Sequence, residues 1–587
     1  MSSASASRRP SSPPAGTSSR IARLPGRSRA AAALAAVAVV AFAAGLVTGA
    51  RHEPPERVAA QRFAQAWERG DFVGMYRLLT PEARARAPVR RFLKAYRDAR
   101  DVLTLVRVEA GRAEQPRDGA VVVPVRLETR IFGELTGRLS LPVGPLADGG
   151  AGVDWTRRAL FPGLLPGERL RRETRMPPRA AILARDRTPL AQGEDRLSDL
   201  GALAADVAGR LGPAPPDRAE ALDRRGVPPG APVGLTGLER EFDDELAGTP
   251  GGTLFAGRRR VAVVSPRPGR DVRTSIDPDL QRAAVEALAG RFGGIAVLRP
   301  RDGEVLALAG IAYSAPQPPG STFKIVTLAA ALESGVATPS SRYPVETAAV
   351  LEGVQLENAN GEACGGTLLE AFAESCNSVF APLGARVGAR RLVATAERFG
   401  FNRDPGLAGA ARSTLPAAAE IGDDLAVGST AIGQGQVLAT PLLMAGIAAA
   451  IGERGSSAAP TLRAGTPPHR RRVVSRAVAR TIRRFMRRVV TSGTGVSAAI
   501  PGVAVAGKTG TAELRDTTND DPVPTDPEAP PPPPDVTDTD AWFTAFAPAR
   551  RPRLAVAVML VGQGAGGDTA APAARAVLEA ALGRREG

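Results

Sequence analysis

Residues Pro318 to Gly335 read PPGSTFKIVTLAAALESG, and they hold a lysine in a chain that has almost none. Of 76 Lys+Arg residues, only Lys94, Lys324 and Lys508 are lysines. Pro319-Gly320 punctuates the chain, and the apolar run after it predicts a helix that starts with Ser321 in its first turn and stops at Gly335. Residues at i and i+3 share a helical face, so Lys324 is expected beside the Ser321 hydroxyl. A helix N-terminus offers unsatisfied N–H groups and the positive end of the dipole, and both stabilise an alkoxide or oxyanion. Arginine keeps its charge in proteins, whereas a desolvated lysine can lose its proton. A sequence that uses arginine nearly everywhere is expected to keep lysine where a base is needed. Ser-x-x-Lys by itself also fits a helix-capping serine followed by a surface lysine.

The rest of the composition narrows the chemistry. At 587 residues and 43% hydrophobic content, several packed domains are expected. The formal net charge is +16 and is carried by arginines spread along the chain. That charge suits nucleic acid, anionic lipid or an anionic polymer. No zinc-ligand cluster or aromatic-basic interleaving supports nucleic acid, so none is expected. The two histidines are His52 and His469. A His-based metal cage and a Ser-His-Asp triad are thereby disfavoured, and neither a metal nor a cofactor is expected.

Two further elements join the first. GVAVAGKTGTAE, residues 502–513, reads as a strand carrying Lys508, Thr509, Gly510 and Thr511. AESCNSVF places Ser375-Cys376-Asn377 inside an apolar helical stretch, where a buried serine and asparagine need partners. Ser-x-x-Lys, a Ser-x-Asn element and Lys-Thr-Gly form the established signature of penicillin-binding proteins and related β-lactamases. Here they occur in that order, with Cys376 in the middle of the second. With GLTGLE, TSIDPDLQ, AIGQGQVLATPLLMA, TSGTG and AWFTAFAP, residues 165–587 resemble class B penicillin-binding proteins.

That resemblance implies an antiparallel sheet flanked by helices, and a serine-type D-Ala-D-Ala transpeptidase that cross-links peptidoglycan stem peptides. Ser321 would be acylated, Lys324 would be its base, Ser375 would relay a proton to the leaving amine, and Asn377 would hold the substrate amide. Lys508 and Thr509 would bind the terminal carboxylate, with Gly510 beside them. The amides of Ser321 and Thr511 would form the oxyanion hole. β-Lactams would be covalent inhibitors, and cell-envelope morphogenesis or division proteins would be partners. The short link from LALAG to PPGSTFK departs from the family pattern and bears on the rim of the site. A D,D-carboxypeptidase or β-lactamase using the same serine, or a catalytically silent β-lactam-binding scaffold, stays open as an alternative. Intact motifs disfavour the scaffold, and the long N-terminal extension disfavours a small secreted hydrolase.

Residues 1–29 are Ser/Pro/Arg-rich and are expected to be a disordered, basic cytoplasmic tail. Residues 30–50 carry no charge over 21 positions and predict a transmembrane anchor. Arginines on its N-terminal side predict a single-pass cell-membrane protein with the catalytic region outside. A cleaved signal peptide is the rival reading. Residues 55–164 predict an α+β domain: a helix with Ala59, Phe63 and Trp67 on one stripe, then alternating strand runs over VLTLVRVEA, GAVVVPVRLETRIF and ELTGRLSLPVG. It resembles the nuclear-transport-factor-like domain of low-affinity penicillin-binding proteins. Residues 165–271 read as an irregular dimerisation or linker domain, including a Pro-rich linker, LGPAPPDRAEALDRRGVPPGAP. Residues 272–587 are the transpeptidase-like region, with Asp277 as a helix N-cap before Pro278. They include an acidic, Pro-rich insert at 515–540 that is expected to be a disordered loop. Cys364 and Cys376 are expected to be free thiols. A helix over the residues between them would span about 12 Å, beyond the roughly 7 Å that a disulfide allows.

Overall fold

The computed structural model describes residues 53–513 and 538–583. The basic tail and the apolar segment at 30–50 lie outside these residues, as does the acidic insert up to residue 537. Among the described residues no helix is long and apolar enough to cross a membrane. The chain divides into two units, with the last change from the first to the second after Glu168.

In the first unit α1 (Pro55–Glu68) buries Ala59, Phe63 and Trp67, the stripe read from the sequence. A second long helix, α2 (Val89–Leu103), takes Val102 and Leu103, so the following strand begins later than the alternation suggested. The sheet runs β1 (Leu105–Ala110), β2 (Ala120–Thr129), β3 (Gly133–Pro145), β4 (Ala151–Val153) in spatial order. Along β2, Val121, Val123, Val125 and Leu127 are buried, the period of two that a half-buried strand demands. The space beneath the helices is filled by aromatic rings. Phe92 meets Tyr96 at 4.9 Å and Trp155 at 5.0 Å between centroids. Trp155 Nε1 donates to Tyr96 Oη at 3.2 Å, and Tyr96 Oη donates to the Ala159 carbonyl at 3.2 Å. Both polar tips of these buried rings are therefore satisfied.

The second unit begins with short sheets. Leu170–Arg175, Gly251–Ala256 and Arg259–Val264 form one, with the middle segment central. The Pro-rich stretch read as a linker contains a helix, Pro216–Arg224, with proline at its start where no N–H is needed. Glu239 of GLTGLE is buried between Arg179 at 2.6 Å and Arg196 at 2.7 Å. Asp243 is likewise held by Arg218 at 2.7 Å and Arg179 at 2.9 Å. Removing either carboxylate leaves buried guanidinium unpaired, so these charges act as structural pins.

Next comes α3 (Pro278–Leu288). Asp277 caps it as expected, accepting from the amides of Asp279 and Leu280 at 3.2 Å. The sheet that organises the region has five antiparallel strands: β5 (Gly293–Leu298), β6 (Val305–Gly310), β7 (Ala506–Glu513), β8 (Thr539–Ala547) and β9 (Leu554–Leu560). Their order is β6-β5-β9-β8-β7. The core strands β5 and β9 are buried throughout, as a sheet covered on both faces requires. α3 and α9 (Ala570–Leu582) pack on one face, and α7 (Pro441–Gly452) on the other. Thr539 and Asp540 were expected in the disordered insert. They instead begin β8, opposite Glu513 and Ala512, because β7 offers ladder partners that far.

β7 is an edge strand. Its open side meets the turn Gly320–Phe323, which precedes α4 (Lys324–Glu333). α4 is buried nearly all round, as the central helix of a helical layer should be. The short connection after β6 is tied down by a reciprocal pair between Gln317 and Ala439, at 2.9 and 2.8 Å.

Candidate active site

Ser321 lies in a 3₁₀ turn, not in the first turn of the α-helix, which starts only at Lys324. In a 3₁₀ turn residues i and i+3 eclipse, so Ser321 and Lys324 still share a face. The turn is pressed against β7 through main chain. Gly320 has φ +50°, and a Cβ there would stand 2.4 Å from the Thr511 carbonyl oxygen. Behind it, Gly433 has φ +82°, and its Cβ would lie 2.0 Å from the Gly320 carbonyl oxygen. Only residues without a Cβ permit this approach. Ser321 is half-buried, and among the described residues its hydroxyl forms no hydrogen bond.

Ser375 does not sit inside a helix. It reverses the chain between α5 (Leu368–Ala373) and α6 (Asn377–Val387). The Cys376 amide reaches back to the Ala371 carbonyl at 2.9 Å, and Ser375 takes φ +63°. This is the helix-ending turn whose left-handed residue is ordinarily glycine. A non-glycine residue there costs roughly 1–2 kcal/mol, and this one sets its hydroxyl between the two buried lysines. Ser375→Gly is therefore expected to melt above Ser375→Ala, by about 1 kcal/mol, although both lack the hydroxyl. Thermal unfolding of the two proteins checks this, and an alanine variant at least as stable would show that the turn carries no strain.

Three motif elements converge on that turn. Lys324 is fully buried, and its Nζ donates to the Ser375 carbonyl at 2.6 Å and to Asn377 Oδ1 at 2.6 Å, with Ser375 Oγ at 3.4 Å. Lys508, also fully buried, donates to Ser375 Oγ at 2.8 Å and to the Thr509 carbonyl at 3.0 Å. The Phe380 ring lies 5.7 Å from Lys324 Nζ, and the Phe372 ring 5.6 Å from Lys508 Nζ. Burial, and then the nearby charge of Lys508, hold the Lys324 amine well below the usual lysine range. Burial also lowers Lys508, to about 7, against a partly offsetting pull from Glu374. The charge of Lys508 thus adds to burial in favouring the neutral form of Lys324.

Asn377 is already engaged at both ends of its side chain. Oδ1 takes the Lys324 hydrogen bond, and Nδ2 donates to the Glu357 carbonyl at 2.7 Å. It orients the lysine first, and one N–H remains for another partner. Ser375 and Asn377 are half-buried rather than enclosed as the sequence suggested, because the turn opens them to the cleft.

Thr509, Gly510 and Thr511 follow Lys508 along β7. Thr509 Oγ1 shares a 2.6 Å hydrogen bond with Thr494 Oγ1, and the Gly566 amide lies 3.4 Å from Thr511 Oγ1. Thr494, within the TSGTG stretch, received no role from the sequence. Its amide is fixed on the Ala373 carbonyl at 3.1 Å, which places its hydroxyl beside Thr509.

Cys364 and Cys376 are bonded to each other, with Cα atoms 5.8 Å apart. The expectation of two free thiols assumed that helix fills the interval. Instead Cys364 begins a strand, Cys364–Thr367, the helix has six residues after a Thr367–Glu370 capping box, and the Ser375 turn brings the chain back. Thiol titration of unfolded, unreduced protein should find no free thiol. Two reactive thiols would contradict the bond.

Known proteins resemble this chain over the region that holds these residues. Residues 293–579 match the penicillin binding protein transpeptidase domain, and residues 190–274 the penicillin-binding protein dimerisation domain. The peptidoglycan D,D-transpeptidase PbpA of Mycolicibacterium smegmatis is 35% identical over 426 residues, covering 60% of this chain and 80% of that protein. The Mycobacterium tuberculosis protein of the same name is 36% identical, over 59% of this chain and 79% of its own. Among solved structures, the ceftriaxone acyl-enzyme complex of penicillin-binding protein A from M. tuberculosis superposes with a TM-score of 0.56 at 30% identity. The match covers 69% of this chain and 98% of that one.

Proposed function

The chain belongs to the class B penicillin-binding proteins, the peptidoglycan D,D-transpeptidases, and we propose that Ser321 is its acylated nucleophile and Lys324 its base. The observation that carries this is the bonding of Lys324. A neutral amine has two N–H groups, and the two short contacts, to the Ser375 carbonyl and to Asn377 Oδ1, use both, with Ser375 Oγ farther away at 3.4 Å. What remains is the nitrogen lone pair, the valence a general base needs. The unengaged Ser321 hydroxyl on the same face is the proton donor that suits it.

Once the Ser321 oxygen attacks the penultimate D-Ala carbonyl, the amides of Ser321 and Thr511 hold the oxyanion. Ser375 Oγ, between the two amines, returns a proton to the leaving D-Ala nitrogen. The acceptor amine of a second stem peptide then reverses these steps and forms the cross-link. Lys508 and Thr509 hold the terminal carboxylate, with Thr494 orienting the Thr509 hydroxyl. The decisive experiment is labelling with a fluorescent penicillin followed by peptide mapping. The adduct should map to Ser321, and a label elsewhere would remove the assignment.

Two further results are expected. Lys508→Ala should weaken penicillin acylation at limiting concentration by about tenfold or more, the scale of losing a charge-assisted hydrogen bond. Its reactivity toward acylators lacking a carboxylate should fall by less, through the lost contact to Ser375 Oγ alone. Acylation should also be bell-shaped in pH. As pH falls, Lys324 gains a proton and the base is lost. As pH rises through about 7, Lys508 loses the charge that attracts the carboxylate. A rate that keeps climbing from pH 7 to 9 would exclude this role for Lys508.

The apolar segment at 30–50 is read as a single-pass anchor that leaves the enzyme outside the membrane, supported by the arginines preceding it. The first unit is read as a nuclear-transport-factor-like domain. Its interior is filled by aromatic rings, which favours a spacer over a ligand pocket. Envelope morphogenesis or division proteins are the partners this architecture suits.

A further inference from the structure

Helix α8 (Arg476–Ser492) has a feature the transpeptidase reaction does not use. Its buried face is apolar, with Ile482, Phe485, Met486 and Val489 in the core. Its other face carries six arginines, Arg476, Arg480, Arg483, Arg484, Arg487 and Arg488, and the helix has no acidic residue. All but Arg483 are exposed, and Arg483 is half-buried. Among the described residues none of the six forms an ion pair, although exposed arginines elsewhere in the chain commonly do. Arg454 and Arg550, exposed on neighbouring turns, extend the patch. Burial, and then the charges of Arg454, Arg480, Arg487 and Arg550, push the Arg483 guanidinium below the usual arginine range.

The carboxylates at the margins offset this crowding only in part: hydrogen bonds from Thr367 chiefly, and then the charges of Arg342 and Arg488, lower the Glu370 carboxyl. Glu453 pairs with Arg470, Glu333 accepts from the Ser475 amide, and Glu370 is held in its capping box by Thr367. Crowded like charges destabilise a fold, and a run of them on one ordered helix suits an anion. Guanidinium groups suit carboxylates through paired N–H donors.

The position of the helix chooses among anions. At about 1.5 Å per residue its 17 residues make a cationic rail of about 25 Å. Its C-terminal end passes straight into Gly493 and Thr494, and Thr494 is hydrogen-bonded to Thr509 of the cleft. A polymer with one anionic branch in the cleft would have its neighbouring branches within reach of the rail. We propose that the arginine face of α8, extended by Arg454 and Arg550, is a docking surface for the uncross-linked peptidoglycan strand, read through the free carboxylates of its stem peptides. This rests on the transpeptidase reading, and it adds a second contact that holds the polymer while single stem peptides enter and leave the cleft.

The test compares the full-length protein with R480Q/R483Q/R487Q for binding of soluble uncross-linked peptidoglycan strands at low salt, and for penicillin acylation. The variant should bind strands at least about tenfold more weakly, given that charged steering surfaces act on this scale. It should acylate at the parental rate and melt no lower than the parent. Strands with amidated carboxylates should bind the parent as weakly as intact strands bind the variant. R480K/R483K/R487K, which keeps the charge, should recover most of the affinity. Equal strand binding by parent and glutamine variant would overturn the proposal. So would undiminished binding of amidated strands, or arginine-dependent binding of anionic phospholipid vesicles or of a phosphate polymer that exceeds strand binding. S321A separates the two readings. It should lose acylation yet retain strand binding, whereas a parent that fails to acylate would refute the transpeptidase reading and not the surface.

Discussion

Ser321→Ala protein, with a cooperative melt within about 0.5 kcal/mol of the parent, should take up no penicillin label. The stability expectation follows from the position. The hydroxyl is half-buried and has no hydrogen bond among the described residues, so its loss orphans no partner. The activity expectation follows from the chemistry. The other groups of the site are in place without that oxygen: Lys324 on Ser375 and Asn377, Lys508 on Ser375, Thr509 on Thr494. What disappears is the atom to be acylated, and in serine acyl-transfer sites its removal costs on the order of 10⁶-fold. Gel fluorescence after long exposure, with mass measurement of the intact protein, decides the matter. A stoichiometric adduct on the alanine protein would move the nucleophile elsewhere and end the mechanism.

Lys324→Arg has the next largest effect and separates base from charge. Lys324 sits with no exposed surface against the Phe380 ring, and both burial and Lys508 favour its neutral form. Arginine preserves the positive charge but does not accept a proton there. If the lysine serves only to attract an anionic substrate or to hold Ser375, the variant stays active. If it removes the Ser321 proton, acylation falls by about 10² or more, the scale of a lost general base. The larger guanidinium has to fit beside Asn377, so the kinetics count only with an unchanged melt. A folded variant within about threefold of the parent, far short of that scale, would assign the lysine another purpose.

Much of this site was legible because the chain is so poor in lysine. Lys324 and Lys508, which stand out against an arginine background, are the two amines that meet at Ser375. The periodicities of α1 and β2 and the Asp277 cap were equally plain, since each is a local rule that tertiary packing did not override. What was hidden depends on chain reversal. The Ser375 turn is written with a serine where the local pattern calls for glycine, so the motif looked like the interior of a helix. The Cys364–Cys376 bond was hidden by the same turn, since a distance counted along a helix cannot foresee one that ends after six residues. Helix Pro216–Arg224 was masked by prolines that also mark helix starts. Thr494 was invisible as a functional residue because its role is defined by Thr509, a neighbour brought in across the sheet edge.

The main-chain contact at Gly320 bears on how such an enzyme evolves under antibiotic pressure. Beside Ser321, the carbonyl oxygens of Thr511 and Gly320 face Gly320 and Gly433, and neither glycine has room for a side chain. A population exposed to β-lactams therefore has no single-residue route at these two positions that narrows drug access and keeps the turn in place. Selectable variation is pushed outward, to segments that touch the site only at second hand. The hairpin of Ala348–Leu351 and Val354–Glu357 is one, since it carries the Glu357 carbonyl that steadies Asn377 while exposing Val350 to solvent. Resistance alleles in this lineage should accumulate on such peripheral supports, and they should act by detuning the lysine rather than by blocking the door.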